Sequence, residues 1–239
     1  MTTFSNRLQD ILATIESAQK RAANQSVHLM AVSKAQPASA IRDAYSAGQT
    51  LFGENYLQEA LEKQALLKDL AIEWHFIGPI QSNKTSLIAN NFSWVHSVDR
   101  LKIALRLNEA RLADTTPLQV CIQVNVNHEP SKSGAAFCDV ASLAAEIIKL
   151  PRLKLRGLMA IPAPSNNLDQ QKAQFKEVRE CYDALNAQGY TLDTLSMGMS
   201  SDYKVAIEQG ATIIRIGSAL FGARHALQSH PEVLKILIQ

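Results

Sequence analysis

The stretch Val27-His28-Leu29-Met30-Ala31-Val32-Ser33-Lys34 sets how the rest of the chain is read. It is a short, nearly continuous apolar run that ends on a lysine, and a segment with helical spacing of its apolar residues follows over 37–47. A run of this length without polar alternation reads as a strand buried on both faces, and such strands belong to parallel sheets covered by helices. The unit recurs. Apolar or β-branched runs return at 50–52, 72–77, 92–98, 118–126, 153–159, 191–195 and 212–216, separated by helix-patterned segments at 56–68, 84–90, 100–112, 136–149, 169–187 and 202–209. Strand and helix alternating through 239 residues predict an α/β protein folded as a closed (β/α)8 TIM barrel, with a doubly wound open sheet as the alternative. Gly48 and Gly210 directly follow helical patterns, where a left-handed C-cap selects glycine.

Ahead of the first unit, residues 1–20 carry Leu8, Ile11, Leu12 and Ile15 at helical spacing with Arg7, Asp10 and Glu16 between them. That pattern predicts an extra N-terminal amphipathic helix rather than a secretory signal. No low-complexity tract, fixed-period repeat or Pro/Gly/Ser linker divides the chain, so residues 1–239 are read as a single barrel domain.

Composition narrows the function. The 24 Lys and Arg residues nearly balance 22 Asp and Glu and are spread along the chain, giving no electrostatic reason to expect a nucleic-acid or membrane partner. Cys121, Cys138 and Cys181 are odd in number and far apart, which excludes a disulfide framework and a CxxC pair and points to a reducing compartment. No uncharged run approaches the roughly 18 residues of a membrane span. The expectation is a soluble, cytoplasmic protein. The six histidines form no HxH or HExxH pattern, so no metal site is expected, and no GxSxG or GxxxxGK motif is present.

Four features could carry chemistry. Lys34 closes the first strand, on the barrel face where active sites of this architecture lie; an apolar setting favours its free amine, the form that condenses with an aldehyde, although a strand-end lysine reaching solvent is the plainer reading. Ser196-Met197-Gly198-Met199-Ser200-Ser201-Asp202 leaves strand seven for a helix, and Ile216-Gly217-Ser218 does the same after strand eight. Two helix starts with small hydroxyl residues and glycine make an anion cradle at the habitual phosphate site of this barrel; ordinary capping by Ser200, Ser201 or Ser218 is the alternative. Arg215 sits among Ile213, Ile214 and Ile216, where a charge needs a partner: a ligand if it points inward, a helix acid if outward, and position alone favours the outward ion pair. Asn55 after strand two could bond a ligand or cap a helix, and His75 within strand three reads as a satisfied core histidine.

Taken together, AVSK at 31–34, FGENY at 52–56, WHFIGPIQSNK at 74–84, SKSG at 131–134, RGLMAIP at 156–162, LSMGMS at 195–200 and RIGSALFGAR at 215–224 resemble the pyridoxal-phosphate homeostasis protein family. The motifs occur in order over most of the chain. That family is similar in fold to the N-terminal barrel of alanine racemase. The resemblance implies a Schiff base between Lys34 and pyridoxal 5′-phosphate (PLP), Asn55 beside the ring, Arg215 facing the pyridine nitrogen, and phosphate held by Ser200, Ser201, Gly217 and Ser218. Ser201 and Ser218 stand where the family pattern often has other residue types, a change that leaves backbone donation intact.

An arginine at the ring nitrogen cannot give up its proton, so it weakens the ring as an electron sink and makes carbanion chemistry harder. Racemases with this ring arrangement take a second acid/base from a separate β-domain, and residues 217–239 are too short to form one. The expectation is therefore a non-catalytic monomer that holds PLP, serves vitamin B6 and amino-acid homeostasis, and passes the cofactor to PLP-dependent apoenzymes. The alternatives are a small single-domain PLP-dependent racemase using His75 or Lys132, and a cofactor-free sugar-phosphate aldolase using Lys34.

Overall fold

In the computed structural model of the chain, which describes residues 3–21, 26–127 and 133–222, the first predicted strand has parallel partners on both sides. It is observed as β1 (His28–Val32), between β2 (Leu51–Glu54) and β8 (Ile213–Ile216). The circle is completed by β3 (Glu73–Phe76), β4 (Trp94–Val98), β5 (Leu118–Val124), β6 (Leu153–Ala160) and β7 (Thr194–Ser196), each pairing in parallel with the next. The closed barrel in sequential order is thus the predicted one, and the open sheet is excluded because β1 and β8 are each other's neighbours.

The covering helices are α1 (Phe4–Arg21), α2 (Ala38–Ser46), α3 (Leu57–Leu66), α4 (Thr85–Asn91), α5 (Leu101–Ala110), α6 (Phe137–Ile147), α7 (Leu168–Ala187), α8 (Tyr203–Glu208) and α9 (Ser218–Phe221). Each buries the stripe its periodicity announces. In α6 Val140, Leu143, Ala144 and Ile147 fall at i, i+3, i+4 and i+7 and are all buried against the strands. The N-terminal helix buries Leu8, Ile11, Ile15 and Ala18 and packs on α2, α8 and α9, over the seam where β8 meets β1; Leu12 faces outward. Gly48 and Gly210 adopt φ of 98° and 99°, the left-handed geometry expected of them.

The departures have local causes. Strand β2 runs two residues beyond the predicted 50–52, because Gly53 lets Met30 approach so closely that a Cβ would lie 2.6 Å from its sulfur, and because Glu54 finds a buried partner. Strand β7 starts at Thr194 rather than 191, and the four-residue α9 was not anticipated. At β6, Gly157 takes a φ of 158° and lies so close to Thr194 that a Cβ would stand 1.8 Å from its carbonyl oxygen.

Most apolar side chains fill the layer between strands and helices. Two small apolar clusters, Met30 with Ile77 and Ile213, and Trp94 with Cys121 and Met159, belong to the barrel interior. The buried polar residues His75, His96, Ser196 and Arg215 share this interior with them.

Candidate functional site

The turn bearing Lys34 is held from several directions. Ser33, Lys34, Ala35 and Gln36 form a turn closed by the Gln36 N–H to the Ser33 carbonyl at 3.0 Å, with Ala35 at a φ of 59°. A non-glycine residue in the left-handed region costs about 1–2 kcal/mol, so the neighbours must hold it there. The Glu59 carboxylate accepts the Ala35 N–H at 2.6 Å, the Lys63 ammonium donates to the Ser33 carbonyl at 2.7 Å, and the Ser33 hydroxyl donates to Glu54 at 2.6 Å. Lys63 also pairs with Glu54 at 2.8 Å and with Glu59 at 2.6 Å, making a buried ionic cluster directly behind the Lys34 backbone. Burial pushes the Glu54 carboxyl up, opposed by the Lys63 charge and by the hydrogen bonds from Lys63 and Ser33. Sequence reasoning passed over Glu54, Glu59 and Lys63; the available signal was an acid ending a strand and a lysine four residues beyond Glu59, beside the buried Ala60 of α3.

The other predicted residues lie on the neighbouring strand ends, in the spatial order β7, β8, β1, β2. Asn55 follows β2; its side-chain oxygen is buried and meets no hydrogen-bond donor among the described residues, while its backbone is crossed so tightly by Gly78 that a Cβ there would lie 2.0 Å from the Asn55 carbonyl oxygen. A buried acceptor left without a donor costs about 1–3 kcal/mol, and a ligand donor would remove that penalty. Gly217 abuts Val32, with a Cβ position 3.2 Å from the Val32 carbonyl oxygen. Ser200 and Ser201 follow Gly198, whose carbonyl accepts the Arg215 N–H at 3.0 Å, so the loops after β7 and β8 are tied together. The N-cap positions of α8 and α9 are Asp202 and Gly217, and neither helix has a side-chain cap. Serine capping therefore does not explain Ser200, Ser201 or Ser218. A cavity of about 360 Å³ opens at this C-terminal mouth, with Asn55, Ile77, Ile161 and Met199 in its wall.

Arg215 corrects the expectation drawn from position alone. It points into the barrel and makes no ion pair among the described residues; Nη1 donates to the carbonyl oxygen of Ser196 and, at 2.9 Å, to its hydroxyl, while Nη2 donates to the Ala160 carbonyl at 2.8 Å. These bonds use fewer than the five donors a guanidinium carries. Burial pulls its pKa down to about 10, with Asp202 opposing, so it remains a cation at neutral pH.

His75 is the satisfied core histidine expected. Both ring nitrogens are engaged, by Glu73 and His96, and burial pulls its pKa down. It borders a different cavity, about 460 Å³ at the opposite, N-terminal mouth, and so is removed as a pocket acid or base. Lys132 lies outside the described residues. Among the described residues no three His, Cys, Asp or Glu side chains are grouped to hold a metal, and no helix is long and apolar enough to cross a membrane.

Comparison with known proteins agrees with this fold. The sequence profile of the family "Alanine racemase, N-terminal domain" matches residues 7–225. The chain is 56% identical over 226 residues to a pyridoxal phosphate homeostasis protein of Pseudomonas aeruginosa, covering 94% of this chain and 97% of that one. It is 45% identical over 229 residues to the protein of the same name from Escherichia coli, covering 94% and 98%. Among solved structures it is similar to PipY of Synechococcus elongatus with PLP bound, with a TM-score of 0.83 and 37% identity over 92% of this chain and all of that one. An alanine racemase of Clostridium difficile shares the fold alone, with a TM-score of 0.72 at 15% identity over 90% of this chain and 56% of that one. A closed parallel barrel carrying a lysine at the end of β1, with near-complete coverage by such relatives, places the chain in the pyridoxal phosphate homeostasis protein family, within the alanine racemase N-terminal domain fold.

Proposed function

We propose that the C-terminal mouth binds PLP and that the protein is a non-catalytic holder of this cofactor. The observation that carries the reading is the polar set assembled on four adjacent strand ends: the Lys34 amine, the buried Asn55 oxygen that meets no donor among the described residues, the inward Arg215 fork, and the small-residue loops after β7 and β8. Each matches one part of PLP. An amine suits the aldehyde, a fixed cationic donor suits an unprotonated pyridine nitrogen, and backbone N–H groups with small hydroxyls suit the phosphate. When bound, the cofactor supplies an aldehyde that condenses reversibly with an amine. In this reading Lys34 anchors it, Asn55 lies beside the ring, Arg215 keeps the ring nitrogen an acceptor, and Ser200, Ser201, Gly217 and Ser218 hold the phosphate. The relatives named for PLP homeostasis and the PLP-bound PipY structure support it.

The wider role follows the same reading: a monomeric, cytoplasmic, single-domain protein over residues 1–239 that buffers PLP and passes it to apoenzymes. The single-domain racemase alternative loses His75, whose nitrogens are both bonded in the interior. The deciding experiment is visible absorbance of wild-type and Lys34→Ala protein with PLP, followed by borohydride reduction and peptide mapping. Wild type should show a Schiff-base band and a label on Lys34, and the variant neither; the same band in Lys34→Ala overturns the assignment. Entry of solvent deuterium at the α-carbon of an amino acid would turn the holder into a racemase.

A further inference from the structure

The geometry points to a positioning relay for Arg215, made of Ser196, His96, His75 and Glu73, which fixes the guanidinium from the far side of the barrel. It rests on the reading that Arg215 faces the bound cofactor. The links are continuous: Arg215 Nη1 to Ser196 Oγ at 2.9 Å, Ser196 Oγ to His96 Nδ1 at 2.8 Å, His96 Nε2 to His75 Nδ1 at 2.9 Å, and His75 Nε2 to Glu73 Oε1 at 2.8 Å. The chain starts beneath the C-terminal mouth and ends at Glu73, the first residue of β3, beside the N-terminal cavity.

The Glu73 end assigns the direction of the bonds, with both imidazoles neutral because burial pulls both histidines below their ordinary range. A carboxylate only accepts, so His75 donates from Nε2, which leaves its Nδ1 to accept from His96 Nε2–H. His96 Nδ1 is then an acceptor, so the Ser196 hydroxyl donates to it while its oxygen accepts from Arg215. Both imidazoles are thus in the Nε2–H form, and the Glu73 carboxyl is held down by its bond from His75. The other titratable groups around the chain are His28 and Arg156 at its outer end and Asp202 and Cys121 near Arg215.

A barrel interior is ordinarily filled with branched apolar side chains, and a buried polar chain is tolerated only when every member is satisfied. Here two histidines and a serine occupy that space with aligned bonds running from a cation to a carboxylate. Aligned bonds polarise one another, so loss of the terminal acceptor loosens Arg215 at the other end.

The test uses full-length protein. In the apoprotein, nitrogen NMR of the histidine rings should show His75 and His96 both in the Nε2–H form at neutral pH; an Nδ1–H form at either overturns the relay. With PLP as the probe, Glu73→Ala should still trap cofactor on Lys34 with borohydride. It should also weaken PLP binding about three- to tenfold and move the absorbance maximum. Glu73→Gln, which keeps the acceptor oxygen, should restore wild-type behaviour, and Ser196→Ala, next to Arg215, should reproduce the Glu73→Ala change. Wild-type affinity and spectrum in Glu73→Ala, with label still on Lys34, overturns the relay and leaves the PLP reading standing. Absence of label on wild-type Lys34 overturns both.

Discussion

Single residues here do work that depends on their protonation state. His96 is fully buried and neutral, with burial holding its pKa well below the ordinary 6.5, and His75 is displaced in the same direction. Between the lowered folded value and 6.5 the unfolded chain binds more protons than the folded one, so stability rises with pH across that window and is lost as acid is added. The slope reaches about 1.4 kcal/mol per pH unit for each such histidine. Urea denaturation between neutral pH and pH 5 should therefore show a steeper loss in wild type than in His96→Gln, and equal slopes would show that His96 does not titrate on unfolding. Sequence reasoning singled out Lys34 and Asn55 as candidates because they close strands, and Arg215 because it is a charge among isoleucines. It missed His96 because a histidine inside a strand carries no mark of its partner on another strand.

At the scale of elements, α3 serves the turn after β1 as much as its own packing. Its Lys63 is the one cation that pairs with the buried Glu54 among the described residues, and it also bonds the Ser33 carbonyl. Lys63→Met should destabilise the protein by about 3–5 kcal/mol in denaturant titrations, because the Glu54 carboxylate would be left buried without its partner. Adding Glu54→Gln to that variant removes the orphaned charge and should recover much of the loss; no recovery would show that Lys63 acts through the Ser33 carbonyl instead. The short β2 illustrates why element ends resist reading from sequence. Gly53 and Glu54 are poor strand formers in isolation, and they extend the strand only because Met30 and Lys63 meet them from other elements.

For the whole molecule, strand closure sets where ligand binding is felt. The proposed cofactor residues come from the ends of β1, β2, β7 and β8, which surround the β1–β8 junction that closes the barrel. A ligand that binds only the folded barrel stabilises it by about 2.7 kcal/mol at a concentration a hundred times its Kd. For a chain of 239 residues that corresponds to a rise in Tm of about 5–10 °C. Thermal unfolding with and without PLP should show this rise in wild type and a much smaller one in Lys34→Ala; equal rises would place binding elsewhere.

The sequence by itself determined a parallel sheet covered by helices, because near-continuous apolar strands and amphipathic helices leave few other ways to bury their surfaces; closure into a barrel rather than an open sheet was decided by the pairing of β1 with β8. It also determined that a lysine stands at the end of the first strand and that glycine-containing loops follow the last two. The tertiary structure alone decided which way Arg215 points and which groups satisfy it. Alternation along β8 separates the facing of Arg215 from that of its isoleucine neighbours without saying which side is the barrel interior. Its partner Ser196 lies on β7, and His96 and His75 lie on strands far away in sequence. A hydrogen-bond chain across a barrel is a property of closure and register, and no local pattern of residues contains it.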